Sequence, residues 1–162
     1  PTNDETPIGP MGSAAQRELS EAFVVKARDA GRDIRTGGER QGEHGFYLNP
    51  AVITGVKTSD RAWCEEIFGP VVVADPFDDA EEIIARSNDS AYGLAAGIWT
   101  RDISKAHRTA ARLRAGTVWV NTYNIFDAAL PFGGYKQSGW GREMGHEVLN
   151  LYTETKAICI GL

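Results

Sequence analysis

Sulfur and histidine are both scarce in this chain. Its two cysteines in 162 residues, Cys64 and Cys159, lie far apart and form no CxxC pair. That usage argues against a disulfide framework or a structural zinc site and fits a reducing cytoplasm. The three histidines, His44, His107 and His146, are scattered without ligand spacing, so no metal centre is expected. Apolar runs are short. Val71–Ala74 is among the longest and falls far below what a bilayer requires, so no membrane contact is expected. The opening PTNDETPIGP has neither the basic nor the apolar region of a signal peptide. No basic block is interleaved with aromatics, and the net charge is −5, which together argue against a nucleic-acid partner.

What remains has a globular composition. The chain is 42% hydrophobic and 24% charged, enough to bury a real core. Along Ser13–Ala30, the residues Ala15, Leu19, Ala22, Phe23 and Ala27 recur at three- and four-residue steps, predicting a helix that Gly31 stops. Residues 32–62 read as irregular, with extended pieces around Ile34 and Tyr47–Ile53. The run Val71–Ala74, between Pro70 and Pro76, predicts a buried strand. Asp78 and Glu81 have capping-box spacing ahead of a helix over Ala80–Ser87. A strand over Leu94–Thr100 follows, then a helix capped by Asp102 and ended by Gly116, then a strand over Thr117–Val120. Arg142–Tyr152 can form a helix, and Lys156–Ile160 reads as a closing strand. Alternating strands and helices predict an α/β fold with a mainly parallel sheet. The first 60 residues supply few strands for it, which reads as the downstream part of a larger domain.

The stretch PFGGYKQSGWGRE (Pro131–Glu143) invites comparison with phosphate-binding loops. It lacks the GxxxxGK order of a P-loop. The glycines of GWGREMG follow a loop rather than a strand, and they miss the GxGxxG spacing of a dinucleotide fingerprint. Physical reasoning favours a tight turn in which glycines let two backbones approach closely.

The words themselves carry more. PFGGYKQSGWGREMG resembles the C-terminal signature of the aldehyde dehydrogenase superfamily. EEIFGPVV (Glu65–Val72), NDSAYGLAAGIWT (Asn88–Thr100), AGTVWVN (Ala115–Asn121) and LYTETKAI (Leu151–Ile158) are similar to that family too, in order and spacing. PIGPM, Gly37-Gly38 and GFYLNPAVITGV agree as well, so the resemblance covers nearly the whole chain.

The resemblance implies oxidation of an aldehyde to an acid with NAD or NADP. In such enzymes a cysteine thiolate attacks the aldehyde, hydride passes to the nicotinamide, and a glutamate activates water to hydrolyse the thioester. An asparagine side chain and a backbone N–H hold the oxyanion. All of these groups lie upstream of the point matching Pro1, as does the site for the cofactor's phosphates, so the chain alone is expected to be inactive. Four contributions transfer to this sequence. Glu66 matches the carboxylate that accepts from the nicotinamide ribose hydroxyls, and Phe68 the aromatic beside it. The loop after Asn121 matches the mouth of the substrate tunnel, placing Asn124, Phe126 and Phe132 along it. Residues 153–162 match a strand that joins the neighbouring subunit, implying a homodimer or homotetramer, with residues 1–152 as the catalytic-domain portion.

Other residues keep plainer roles. Glu65 reads as solvated surface charge, Cys64 as a packing residue and Cys159 as a small buried hydrophobe. Lys136 and Arg142 read as ion-pair or carbonyl partners. Gln16 lies on a helix whose family counterpart approaches the cofactor, but Leu19 stands where a basic residue is common, which puts a cofactor contact from this helix in question.

Overall fold

The computed structural model describes residues 7–162, so most of PTNDETPIGP lies outside the described residues. The chain divides into two compact units, Pro1–Pro76 and Phe77–Leu162.

In the first unit, α1 spans Ala14–Asp29, and the Ser13 hydroxyl accepts from the Gln16 amide to cap it. The helix buries Ser20, Phe23, Val24 and Ala27. Ala15 and Leu19, expected on the inner face, are exposed instead. The buried stripe starts one step further round because Ser20, not Leu19, meets the protein, and a small residue is needed there. Gly31 then adopts φ +74°, and its amide and that of Arg32 take the last helical carbonyls.

Three strands form one sheet in the order β1-β2-β3: Asp33–Thr36, Ala51–Thr54 and Val71–Val73. β1 pairs antiparallel with β2, and β2 parallel with β3, with Ala51 opposite Val71. A short helix α2 (Arg61–Cys64) lies in the β2–β3 crossover. Val24, Ala27, Leu48, Ala51, Ile53, Val56 and Val71 form the core between helix and sheet.

The second unit carries α3 (Ala80–Asn88), β4 (Tyr92–Gly93), β5 (Ala95–Ile98), α4 (Ile103–Arg112), β6 (Thr117–Val120), β7 (Tyr135–Lys136) and α5 (Leu149–Tyr152). β5 and β6 run parallel with α4 as their crossover, while β4 and β7 pair antiparallel. The strand expected over Leu94–Thr100 is the shorter β5, Ala95–Ile98; the residues just before it, Tyr92 and Gly93, form β4 and join a different partner. Pairing across the chain is mixed rather than mainly parallel, because β1 and β7 return as antiparallel neighbours.

Several boundaries move. The cap of α3 is Asp79, not Asp78: its carboxylate accepts from the Glu82 amide, and Glu82 reaches back to the Asp78 amide. Asp102 caps α4, as its position predicts. That helix ends at Arg112, ahead of Gly116. Gly116 is glycine for another reason, since a Cβ there would stand 1.6 Å from the Gly133 carbonyl oxygen. The helix expected over Arg142–Tyr152 shrinks to a 3-10 turn at His146–Val148 and α5. Met144 and Gly145 hold φ +57° and +63°, which no right-handed helix tolerates. Residues 153–162 are exposed, carry no regular secondary structure and pair with no strand among the described residues, and Cys159 is exposed rather than buried. A strand needs a partner edge, and the described residues offer it none.

Candidate functional site

The segment Glu65–Pro70 leaves α2 and enters β3. Its two glutamates differ sharply. Arg61 sits one helical turn before Glu65, and its Nε donates to Glu65 Oε1 at 2.5 Å, with a second bond from its terminal nitrogen. That bond from Arg61, first of all, holds the Glu65 carboxyl below the usual glutamate range. The Arg61 guanidinium also lies 4.7 Å from the centre of the Phe23 ring. Glu65 is therefore a paired residue, correcting the expectation of a merely solvated charge. Glu66 is exposed and makes no side-chain hydrogen bond or ion pair among the described residues.

Beyond Glu66, Ile67 packs against the core and the Phe68 ring is 72% exposed. Gly69 lies against α1: a Cβ there would be 2.3 Å from Ser20 Oγ, and Ser20 is fully buried. The Phe68 carbonyl accepts a hydrogen bond from the Gln16 side chain. Two side chains free of structural duty thus stand on a firmly held backbone. An exposed carboxylate with both oxygens free can accept from a pair of neighbouring hydroxyls, and a bare ring beside it can stack.

In the second unit the loop after β6 is aromatic and exposed. Asn121 holds φ +55°, and its side-chain amide bonds both the Thr100 amide and the Thr100 carbonyl, fixing where the loop leaves the sheet. Asn124 also adopts a left-handed φ of +57° and is exposed. Trp119, buried at the end of β6, donates its indole N–H to the Ile125 carbonyl at 2.9 Å. Its ring meets Tyr123 and Phe126 edge-to-face at 5.3 and 5.8 Å. Phe126 continues to Phe132 at 5.0 Å, again edge-to-face. Asn124, Phe126 and Phe132 therefore share one loop system, with the last two in direct contact.

Phe132 is pinned. Its amide and carbonyl exchange 2.7 Å hydrogen bonds with Glu143, and Arg142 donates to the Gly134 and Gly141 carbonyls. Lys136 donates to the Asn88 and Ser90 carbonyls, tying β7 to the end of α3. The glycine-rich stretch is a closely packed turn: a Cβ at Gly133 would meet the Gly141 carbonyl oxygen at 2.5 Å.

Residues 1–158 match the model of the aldehyde dehydrogenase family. The chain belongs to the aldehyde dehydrogenase family. DhaS of Bacillus subtilis (strain 168) is 49% identical over 158 residues, 98% of this chain and 32% of that protein. Betaine aldehyde dehydrogenase 1 of Rhizobium meliloti (strain 1021) is 44% identical over 165 residues, all of this chain and 34% of that protein. The NAD+ complex of an aldehyde dehydrogenase from Bacillus cereus superposes with a TM-score of 0.91 at 49% identity, covering 94% of this chain and 31% of that one. The chain thus spans about a third of the length of the relatives it matches.

Parts of this chain were not foreseen from sequence. The Arg61–Glu65 pair follows the i,i+4 spacing of a helical ion pair and could have been read from it. The bonds from Gln16 and Trp119 join residues with no such local signal. Cys64 is exposed, correcting its expected packing role, and its thiol donates to the Thr58 carbonyl at 2.9 Å. Among the described residues no group of His, Cys, Asp or Glu is placed to hold a metal ion, and no helix is long and apolar enough to cross a membrane.

Proposed function

We propose that this chain is the C-terminal third of an NAD- or NADP-dependent enzyme that oxidises an aldehyde to a carboxylic acid. In this reading Glu66 accepts hydrogen bonds from the nicotinamide ribose hydroxyls and Phe68 packs beside the same part of the cofactor. The observation that carries the proposal is the contrast within EEIFGP. Glu65 is occupied by Arg61, while Glu66, on the same anchored segment, is exposed and has no side-chain partner among the described residues. The cofactor, when bound, supplies the hydride acceptor; the chain's own contribution is to orient it.

Asn124, Phe126 and Phe132 line the aldehyde's approach in this proposal. The edge-to-face contact of the two rings and the pinning of Phe132 support a shaped apolar wall. The nucleophilic cysteine, the base and the oxyanion asparagine belong to the preceding two thirds of such a protein, so the isolated chain is inactive. Residues 153–162 add a strand to a second copy, giving a homodimer or homotetramer. Free, widely separated cysteines fit a cytoplasmic setting. The test is NADH or NADPH formation from several aldehydes by the isolated chain and by a full-length protein carrying it. Turnover by the full-length protein alone is expected. Turnover by the chain that vanishes with Cys64→Ser overturns the assignment.

A second reading, a non-catalytic α/β domain that self-associates through residues 153–162, is favoured by that segment's apolar exposure, with Ile158 78% and Ile160 77% exposed. A full-length protein without cofactor-dependent turnover would select it.

A further inference from the structure

Between Glu66 and β3 the backbone makes two successive three-residue turns: the Gly69 amide donates to the Ile67 carbonyl, and the Val71 amide to the Gly69 carbonyl, both at 2.8 Å. The intervening Phe68 carbonyl takes no part in either turn. The Gln16 side chain, from the first turns of α1, donates to it. One helical turn later, Ser20 stands where a Cβ on Gly69 would clash, and the Ser20 hydroxyl is itself turned back to the Gln16 carbonyl at 3.1 Å. Gln16 and Ser20, four residues apart on one face, thus form a two-point seat for this loop, one polar and one steric. No other hydrogen bond among the described residues reaches the Phe68 carbonyl.

We infer that Gln16 is a positioning residue: by holding the Phe68 carbonyl on α1 it sets where the Glu66 carboxylate and the Phe68 ring stand. The inference rests on the cofactor role proposed above for those two side chains. Gln16 acts through the loop backbone and in the absence of any ligand. The amide suits the task because its N–H₂ donates, whereas a carboxylate of the same shape would set an acceptor against an acceptor. Leu19, on the exposed side of the same helix, offers no polar substitute.

Two measurements separate the seat from the cofactor role. Amide hydrogen exchange on the ligand-free 162-residue chain should show faster exchange at Gly69 and Val71 in Gln16→Ala and Gln16→Glu, by about five-fold, the weight of one ordinary hydrogen bond. Exchange in the middle of α1 should stay unchanged. In a full-length protein carrying the chain, Gln16→Ala should raise the KM for NAD by a similar factor while kcat for a bound complex falls less. Unchanged exchange at Gly69 and Val71 overturns the inference, even with weakened cofactor binding, because that pattern means direct contact. Faster exchange with an unchanged KM overturns its functional half. If Glu66→Gln also leaves that KM unaltered, the ribose assignment itself has failed.

Discussion

At Glu65 and Glu66 two identical side chains, adjacent in sequence, have been given different work by one arginine. Because Arg61 closes on Glu65, replacing Glu65 removes an exposed ion pair and loosens Arg61 from Phe23, a small structural effect distant from cofactor chemistry. Replacing Glu66 breaks no side-chain hydrogen bond or ion pair among the described residues. Glu66→Gln in a full-length protein is therefore expected to leave the melting temperature alone. Cofactor affinity and turnover should fall by roughly five- to thirty-fold, the charge-assisted share of its hydrogen bonds. Glu65→Gln should do the reverse, lowering stability slightly with kinetics nearly intact. Steady-state kinetics and thermal melts of both variants decide the matter, and a damaging Glu65→Gln beside a harmless Glu66→Gln sinks the assignment. A glycine gives a second residue-scale contrast. Gly116→Ala must push a methyl group into the Gly133 carbonyl, whereas Gly12 has nothing within 4 Å of its would-be Cβ. Gly116→Ala should cost at least about 2 kcal/mol and Gly12→Ala within about 0.5 kcal/mol, read by denaturant unfolding.

Elements are held at their ends more than along their lengths. The start of α3 depends on the Asp79 carboxylate, so Asp79→Ala should cost about 1 kcal/mol while Asp78→Ala, which removes no cap, should be near neutral. Equal losses from the two would overturn the cap. Ahead of α2, Asp60 accepts two hydrogen bonds from Arg32 and one from the Lys57 amide. Arg32 above all, then the Lys57 amide, holds its carboxyl below the ordinary aspartate value of 3.8. A depressed value in the folded state means that the unfolded chain binds this proton more readily. The stabilisation is fully present above the ordinary value and is lost as pH falls through the folded one. Thermal melts should show stability declining below about pH 4, and Asp60→Asn should flatten part of that decline. The flattening is partial because Glu21, Glu65, Glu81 and Asp102 are shifted in the same direction by their own partners. An unaltered acid profile in Asp60→Asn would show that the pair carries no weight.

On the scale of the whole molecule the salient feature is unfinished surface. The β5–β6 sheet has two strands, parallel sheets are ordinarily covered on both faces, and Trp99, Leu94 and Phe77 remain exposed in the same unit. A chain spanning about a third of its relatives is expected to look this way. Residues 153–162 have no strand partner among the described residues and expose Ile158, Ile160 and Leu162, and the proposed assembly strand would pair this backbone with another copy. Sedimentation of the chain with and without these ten residues should show association only when they are present. Matching monomeric profiles would reject the assembly strand.

Much of this protein was legible locally. The helix starts at Ser13 and Asp102, the stop at Gly31 and the Val71 strand follow from signals a few residues long, because caps, turns and periodicity are themselves short-range. The motif words identified the family, and the roles they imply for Glu66, Phe68, Asn124, Phe126 and Phe132 stand as the proposals made above. Tertiary structure decided what such signals cannot carry. Left-handed backbone at Met144 and Gly145, beside the Pro131 loop, ended a helix that the side-chain pattern allowed. The partner of each strand set parallel and antiparallel pairings in three small sheets in place of one mainly parallel sheet. Ser20 replaced Leu19 on the inner face of α1 because a loop 49 residues away comes to rest there at Gly69. Chemical type is written at each position, but close approach is a property of two positions brought together by the fold.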